Sequence, residues 1–219
     1  MTPARPRAGL HLVIVPNWPS PAGAPSAAGQ RAARLAVRRA LAGLPGAAHA
    51  RIELANAPGS APVARVDGAA DLVGVSITHS AGLAAACAWL AAPGYAAGID
   101  IERVRPTGLA ENTIAFTEPE LALLAAAPEG AATAALAAWT VKEAVWKALW
   151  PAQPPAPGSI ELRALSLAAG RALAEAGSGV RVHARVRQID GPDGQYWLAV
   201  AQFGLSGVWH PVRCVRART

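Results

Sequence analysis

The sequence predicts an α+β fold in which both halves of the chain mix strands with helices. Of its 219 residues, 53% are hydrophobic and 16% are charged, which excludes wholesale disorder, because disordered chains are poor in apolar residues and rich in charge. This length corresponds to one or two domains and allows a substantial core without disulfide bonds. Apolar runs typical of strands and longer stretches typical of helices occur in each half, and the two halves have about the same length.

The first half predicts four strands and one helix after a loose tail at Met1–Ala8. Pro16–Gly29 contains four prolines and no charged residue, so it predicts a loop. Arginines alternate with apolar residues over Gln30–Leu44, which predicts a basic amphipathic helix that ends before Pro45. The predicted strands are Leu10–Val15, Arg51–Leu54, Leu72–Thr78 and Leu83–Leu90.

The second half begins with a strand at Gly98–Glu102 and continues with two helices. Thr117–Ala126 predicts a helix with Thr117 as N-cap, and Ala131–Trp150 predicts a long helix that Pro151 stops. The proline-rich segment Pro151–Ser159 predicts a loop. Three strands follow at Ile160–Leu167, Val180–Ile189 and Tyr196–Phe203, with a turn at Gly191–Gly194 between the last two.

Cysteine use and apolar stretches indicate an intracellular protein. Two cysteines, Cys87 and Cys214, cannot form a disulfide framework, and we interpret both as buried or half-buried thiols. The apolar run at Leu10–Val15 is shorter than a signal-peptide core. The longest apolar stretch, Leu83–Ile99, is interrupted by Pro93-Gly94 and is shorter than a membrane span. We expect a cytoplasmic monomer that contacts no membrane.

The positive charge is distributed unusually. The formal net charge is +6, and the chain contains 20 Lys+Arg residues, of which only Lys142 and Lys147 are lysines. Two lysines five positions apart in an arginine-using chain indicate chemistry that needs a compact ammonium group rather than a planar guanidinium. Chance placement is the alternative.

The run Gly98–Glu102 places two carboxylates on one face of a strand. Because alternate side chains share a face, Ile99 and Ile101 point into the core, and Asp100 and Glu102 point together to the other side. Such carboxylates repel each other unless a cation lies between them, and Mg²⁺ takes carboxylate and phosphate oxygens as ligands. An ordinary half-exposed strand is the alternative.

The helix predicted at Ala131–Trp150 carries charges in an apolar setting. Lys142, Glu143 and Lys147 lie in its middle, and Glu143 shares a face with Lys147 because they are four residues apart. Burying such charges without partners costs several kcal/mol each, so charged groups must meet them. We interpret them as functional, with a salt bridge at a solvent edge as the alternative.

A third segment ends a predicted strand with three polar side chains. Thr78, His79 and Ser80 precede a turn at Gly82, and their hydroxyl and imidazole groups are suited to a phosphate or a ribose. A structural histidine at a strand end is the alternative. The sequence has no cysteine–histidine metal cluster, no G-x-S-x-G motif and no glycine-rich phosphate loop.

Together these segments resemble the signature set of the 4'-phosphopantetheinyl transferases. The motifs V-S-I-T-H-S, G-I-D-I-E-R-V-R-P, F-T-E-P-E-L and W-T-V-K-E-A-V-W-K-A occur in the family's order and spacing. The chain is most similar to the larger single-chain kind that activates peptide and polyketide synthases. The resemblance covers about Val75–Leu149, and its motifs are specific in combination.

The resemblance implies a pseudo-dimer of two similar α+β halves, each an antiparallel sheet packed against helices. The halves correspond to residues 1–96 and 97–219, with coenzyme A bound between them. The implied reaction transfers the 4'-phosphopantetheine arm of coenzyme A to a serine of an apo acyl or peptidyl carrier protein and releases adenosine 3',5'-bisphosphate. Carrier proteins are generally acidic, so a net charge of +6 would attract them.

The resemblance also implies roles for individual residues. Asp100, Glu102 and Glu143 hold Mg²⁺ or Mn²⁺; Glu143 is the general base, directly or through a water; and Lys147 neutralises or protonates the leaving phosphate. Contacts to coenzyme A are implied for Thr78, His79, Lys142 and Lys147. On charge balance alone, we expect arginines of the basic helix, Arg34 first and Arg31 next, to neutralise the phosphates as well.

Three departures from the family pattern bear on affinity for coenzyme A. Thr78 stands where serine is common, which keeps the hydroxyl. The loop Gly59–Pro62 lacks the usual lysine, for which Arg65 is a candidate substitute. Pro16–Gly29 lacks the basic residues expected near the nucleotide's 3'-phosphate.

Three alternative functions remain open. A nucleic-acid-binding module fits the sequence pI of 10.3, but only 5% of residues are aromatic and the arginines are dispersed. A Mg²⁺-dependent hydrolase of nucleotide pyrophosphates would release phosphopantetheine without a carrier. A degenerate relative would bind coenzyme A or a carrier without turnover. We favour the transferase.

Overall fold

The computed structural model describes residues 9–16, 27–42, 44, 47–55, 60–105, 115–150, 159–177, 179–204 and 212–216. Its helices are α1 (Ala27–Leu41), α2 (Glu118–Ala125) and α3 (Ala131–Leu149). Its strands are β1 (Leu10–Pro16), β2 (Ile52–Ala55), β3 (Val63–Val66), β4 (Val73–Ser80), β5 (Leu83–Leu90), β6 (Tyr95–Arg103), β7 (Ile160–Ser166), β8 (Arg171–Ala176), β9 (Val180–Gly191), β10 (Gly194–Gly204) and β11 (Val212–Arg216).

These strands form two larger sheets and one hairpin. The first sheet has the order β11-β1-β5-β4, the second has the order β6-β10-β9-β8-β7, and β2 pairs with β3. All pairs are antiparallel except β1 with β11, which run parallel with Leu10 opposite Val212. The predicted α+β class with antiparallel sheets is therefore confirmed.

Most predicted elements occur, with differences at particular places. The helix α1 begins at Ala27, inside the predicted loop Pro16–Gly29, and it ends at Leu41 rather than Leu44. The strands β3, β8 and β11 were not predicted. The predicted tail at residues 1–8 and the predicted loop from 151 to 158 lie outside the described residues. Cys87 is buried as expected, whereas Cys214 on β11 is exposed.

Apolar residues pack the two sheets into layers. The helix α1 covers one face of the first sheet with Ala32, Ala33, Ala36 and Val37, and α3 covers one face of the second sheet. The inner faces of the sheets meet in a shared apolar layer that contains residues from both. That layer includes Leu12, Ile14 and Cys87 of the first sheet and Ile99, Ile101, Leu198 and Val200 of the second.

The long helix crosses β6 at a glycine. A Cβ on Gly98 would lie 2.0 Å from the carbonyl oxygen of Ala144 and 2.5 Å from the amide nitrogen of Ala148. Only glycine permits so close an approach of helix and strand. The approach brings the charged residues of α3 against those of β6.

Among the described helices, none is long and apolar enough to cross a membrane.

Candidate active site at the junction of the two sheets

A buried carboxylate lies where three elements meet. Asp100 is on β6, an edge strand of the second sheet, next to β4 at the edge of the first sheet. The Lys147 ammonium on α3 lies 2.6 Å from Asp100 Oδ1, and the Thr78 hydroxyl on β4 donates to the same oxygen at 2.8 Å. The Asp100 side chain is 5% exposed and that of Lys147 is 22% exposed, so the pair borders solvent from one side.

Alternate hydroxyl groups of β4 contact the edge of β6. Ser76 Oγ accepts a hydrogen bond from the Ile99 amide at 3.2 Å. Ser80 Oγ accepts one from the Arg103 amide at 3.1 Å and donates to Glu102 Oε2 at 3.1 Å. Because alternate residues of a strand share a face, these hydroxyls and that of Thr78 form one row, which we call the hydroxyl row. The row joins the two sheets at the carboxylates.

Electrostatics at the junction favour a cation. Burial raises the pKa of Glu102 above its usual 4.5, and the Asp100 charge raises it further. Burial also raises the pKa of Glu143, with a smaller increase from Asp100, while Lys147 lowers it in part. Lys147 and Arg105 lower the pKa of Glu102 in part, but its pKa stays raised, so additional positive charge would stabilise the three carboxylates.

The chemistry of the donor set fits a divalent cation centred on Asp100. Within the part of the chain that the structure describes, Asp100 Oδ2 is buried without a hydrogen-bond donor, whereas Oδ1 has two. A buried carboxylate oxygen without a partner costs free energy that a bound cation would remove. As the side chains stand, no three His, Cys, Asp or Glu residues of the described ranges converge as a complete metal site. Lys147 supplies the nearest positive charge in this arrangement.

One residue of this region was missed by the sequence reasoning. Trp197 on β10 lies directly opposite Glu102 in the strand pairing, and its buried indole nitrogen has no hydrogen-bond acceptor among the described residues. Its sequence context is an apolar strand, which gives no signal of a polar task.

Lys142 is not brought to this cluster, contrary to its expected place in the coenzyme cleft. Its side chain is 1% exposed, and its ammonium group lies 2.9 Å from Glu120 Oε1 and 2.7 Å from the carbonyl oxygen of Ala115. It also lies 5.2 Å from the centre of the Phe116 ring. The Lys142 ammonium group is therefore bound by partners inside the protein and does not contact Asp100.

The remaining candidates for contact with coenzyme A lie at the surface. Arg34 is exposed on α1 and donates to Gln30 Oε1 at 3.4 Å. His79 is exposed on β4, on the side opposite the hydroxyl row. Arg65 on β3 is exposed and donates to the carbonyl oxygen of Gly68 at 3.5 Å. All three side chains are accessible to a phosphate, unlike the buried Thr78.

A cavity of about 530 Å³ borders Lys147, the ion-pair partner of Asp100. Three tryptophans, Trp89, Trp146 and Trp150, are among its lining residues. Gly74 leaves the room for one wall, because a Cβ there would lie 2.2 Å from the Trp89 ring. An apolar cavity next to one ammonium group suits a ligand with an anionic group attached to a long uncharged arm.

Residues 96–201 match the family model of the 4'-phosphopantetheinyl transferase superfamily, just under half of the 219-residue chain. The matched segment runs from β6 to β10 and includes Asp100, Glu102, Glu143 and Lys147. This match confirms the predicted resemblance to the superfamily, which implies phosphopantetheinyl transfer in general. A comparison with curated proteins found no match.

Proposed function

We propose that this protein transfers the 4'-phosphopantetheine arm of coenzyme A to a serine of an apo carrier protein, in a reaction that depends on Mg²⁺ or Mn²⁺. The observation that carries the proposal is the Asp100–Lys147 pair, with its unpartnered Asp100 Oδ2, inside the segment that matches the superfamily. The second product is adenosine 3',5'-bisphosphate.

The two halves, residues 1–96 and 97–219, form the pseudo-dimer of the larger single-chain transferases in this proposal. Two sheets that share an apolar layer, each with a helix on its outer face, support this arrangement, although β11 of the second half joins the first sheet. The carboxylate cluster lies at their junction, where a ligand can contact both halves.

Asp100, Glu102 and Glu143 would hold the divalent cation. When bound, the cation neutralises the pyrophosphate of coenzyme A and polarises the phosphorus under attack. Asp100 contributes the oxygen that lacks a donor, and Glu102 and Glu143 contribute carboxylates whose raised pKa values reflect burial near another negative charge.

Glu143 would act as the general base. The carrier serine Oγ forms a bond to the β-phosphorus, its proton passes to the Glu143 carboxylate directly or through a water, and the bridging P–O bond breaks. Burial raises the pKa of Glu143, which makes its carboxylate a better proton acceptor. Lys147, on the same face of α3, would neutralise or protonate the leaving phosphate.

The cavity beside Lys147 would take the uncharged pantetheine arm. Its tryptophan side chains suit methylene and amide groups, and Ser60–Pro62, the described part of the loop Gly59–Pro62, also line it. Arg34 and His79, both exposed, are the proposed contacts for the nucleotide phosphates. An acidic acyl or peptidyl carrier protein would be attracted by the net charge of +6.

Intact-protein mass spectrometry tests this function. Purified apo carrier protein is incubated with this protein, coenzyme A and Mg²⁺, with a chelator sample in parallel. A mass gain of one phosphopantetheine that disappears with chelator is the expected result. Free phosphopantetheine in solution would point to a pyrophosphate hydrolase, and bound coenzyme A without a gain on several carriers would point to a non-catalytic binder.

A further inference from the structure

We infer that Thr78 and Ser80 are positioning residues, each of which fixes the orientation of one carboxylate on β6. Thr78 holds Asp100 and Ser80 holds Glu102, through the hydrogen bonds of the hydroxyl row. This assignment replaces the expected contact between Thr78 and a phosphate of coenzyme A. It rests on the proposed function for its biological meaning, and on the described geometry for its test.

A proton count separates the two roles of Thr78. A hydroxyl group has one proton to donate, and an anionic phosphate oxygen accepts hydrogen bonds but cannot donate one. The Thr78 proton is already directed at Asp100 Oδ1, at 2.8 Å, and the residue is only 5% exposed. Thr78 therefore cannot serve a phosphate without releasing Asp100 and moving towards solvent.

The bond from Thr78 also determines which oxygen of Asp100 is free. Oδ1 receives the Thr78 hydroxyl and the Lys147 ammonium group, and Oδ2 receives neither. With Oδ1 held by two donors from different elements, the carboxylate cannot rotate freely. Oδ2 is thereby kept available as a ligand atom.

Ser80 is itself fixed from two sides. Its oxygen accepts a hydrogen bond from the Arg103 amide of β6, and its hydroxyl donates one to Glu102 Oε2. The backbone contact orients the hydroxyl, and the hydroxyl orients the carboxylate. Ser76 makes the corresponding backbone contact with Ile99 but contacts no carboxylate in the described residues, so it offers a matched control on the same face of β4.

The expected consequence is weaker cation binding when either hydroxyl is removed. Groups that orient metal ligands without touching the metal are worth about 10- to 100-fold in metal affinity. We expect about this loss for Thr78→Val, which keeps the shape and removes the hydroxyl, and for Ser80→Ala. Thr78→Ser keeps the donor and should restore most of the affinity.

The test measures Mn²⁺ binding to the full chain without coenzyme A or carrier. The electron paramagnetic resonance signal of free Mn²⁺ reports how much of the ion stays unbound. Thr78→Val and Ser80→Ala are compared with wild type, Thr78→Ser, Ser76→Ala and Asp100→Ala, and circular dichroism shows that each variant is folded. Support requires a weakened site in Thr78→Val and Ser80→Ala, near-wild-type binding in Thr78→Ser and Ser76→Ala, and loss in Asp100→Ala. If Thr78→Val does not fold, Ser80→Ala against Ser76→Ala decides.

Three results would overturn the assignment. Thr78→Val with wild-type Mn²⁺ affinity but a raised KM for coenzyme A would make Thr78 a phosphate contact. Equal losses in Ser76→Ala and Ser80→Ala would reduce the row to general support for the fold. No Mn²⁺ binding by wild type, or unchanged binding by Asp100→Ala, would remove the cation site. Failure of the proposed transfer reaction is seen separately, as no mass gain on the carrier.

Discussion

At the scale of single residues, Lys147 has a position that suits a group acting on developing charge. Its ammonium group is 22% exposed, so it can contact a ligand while it remains 2.6 Å from Asp100 Oδ1. A ligand phosphate would offer it a second anionic partner on its exposed side. Lys147 is thus placed to pair with Asp100 when no ligand is bound and to stabilise the charge on the leaving phosphate during the reaction.

Replacement of Lys147 by alanine should lower kcat more than it raises the KM for coenzyme A. Loss of one group that stabilises developing charge typically reduces kcat about 100-fold or more. Steady-state kinetics of carrier modification measures both constants. Arg163→Met, which removes one positive charge from an exposed ion pair, controls for the change in net charge. A rise in KM equal to the fall in kcat would make Lys147 a ground-state phosphate contact instead.

Much of the candidate site follows from local periodicity in the sequence. The alternation along β6 places Asp100 and Glu102 on one face, and the four-residue spacing places Glu143 with Lys147. Helix geometry also separates the two lysines: a spacing of five residues turns them about 140° apart at 3.6 residues per turn. The spacing alone therefore predicts that Lys142 and Lys147 lie on different faces of α3 and meet different partners.

The hydroxyl row and the unpartnered Asp100 oxygen could not be predicted in the same way. Both depend on the approach of β4 to β6, which are edge strands of different sheets. No periodicity within either strand specifies that approach. The residues of the row were identified as polar, but the atoms that they contact lie more than 20 positions away in the chain.

At the scale of elements, Glu120 joins three parts of the second half. Its Oε2 accepts the Thr117 amide at 2.7 Å, within the capping box that begins α2, and its Oε1 accepts the Leu162 amide of β7 at 2.7 Å. Lys142 of α3 completes the set, and the side chains of the pair are 0% and 1% exposed. Since both charges are buried, each depends on the other for compensation.

Lys142→Met should destabilise the fold by about 3–5 kcal/mol, because it leaves a buried carboxylate without its counter-charge. Urea unfolding of the variant and of wild type measures the difference. Arg163→Met, in an exposed ion pair, is the control and should cost about 1 kcal/mol or less. A double variant Glu120→Leu, Lys142→Met should lose less than the two single changes combined. Lys142→Met with the stability of Arg163→Met would contradict the anchoring role.

One of the strands that was not predicted, β8, shows how alanine hides the pattern. In β8 the buried positions are Ala172, Ala174 and Ala176, and the sequence R-A-L-A-E-A consists of good helix formers. Such small side chains give a weak period-two signal, so the strand depends on pairing with β7 and β9. Strands with larger apolar residues, such as Leu10–Val15, were predicted within one or two positions.

At the scale of the whole molecule, the arrangement of layers concentrates carboxylates at one internal junction. The apolar layer between the sheets holds β4 and β6 side by side, and α3 approaches close enough at Gly98 to add Glu143 and Lys147. Packing forces thus maintain an electrostatic arrangement that is unfavourable without added positive charge. A bound cation would stabilise the whole fold through this junction.

That coupling makes the stabilising effect of Mg²⁺ depend on pH. Because the pKa values of Glu102 and Glu143 are raised in the folded protein, the folded state binds protons more readily than the unfolded state. These two groups therefore lower the free energy of unfolding as the pH rises from about their usual 4.5 through their raised values. Mg²⁺ competes with those protons, so its binding strengthens over the same pH window.

Thermal unfolding with and without Mg²⁺ should show a larger increase in Tm at about pH 8 than at about pH 5. A ligand at 100 times its Kd adds about 2.7 kcal/mol, which corresponds to roughly 5–10 °C for a chain of this size. In Glu102→Gln and Glu143→Gln the difference between the two pH values should shrink, because one titrating carboxylate is gone in each. Equal increases at both pH values in the wild-type protein would show that Mg²⁺ acts away from these carboxylates, and the junction would then lose its assignment as the cation site.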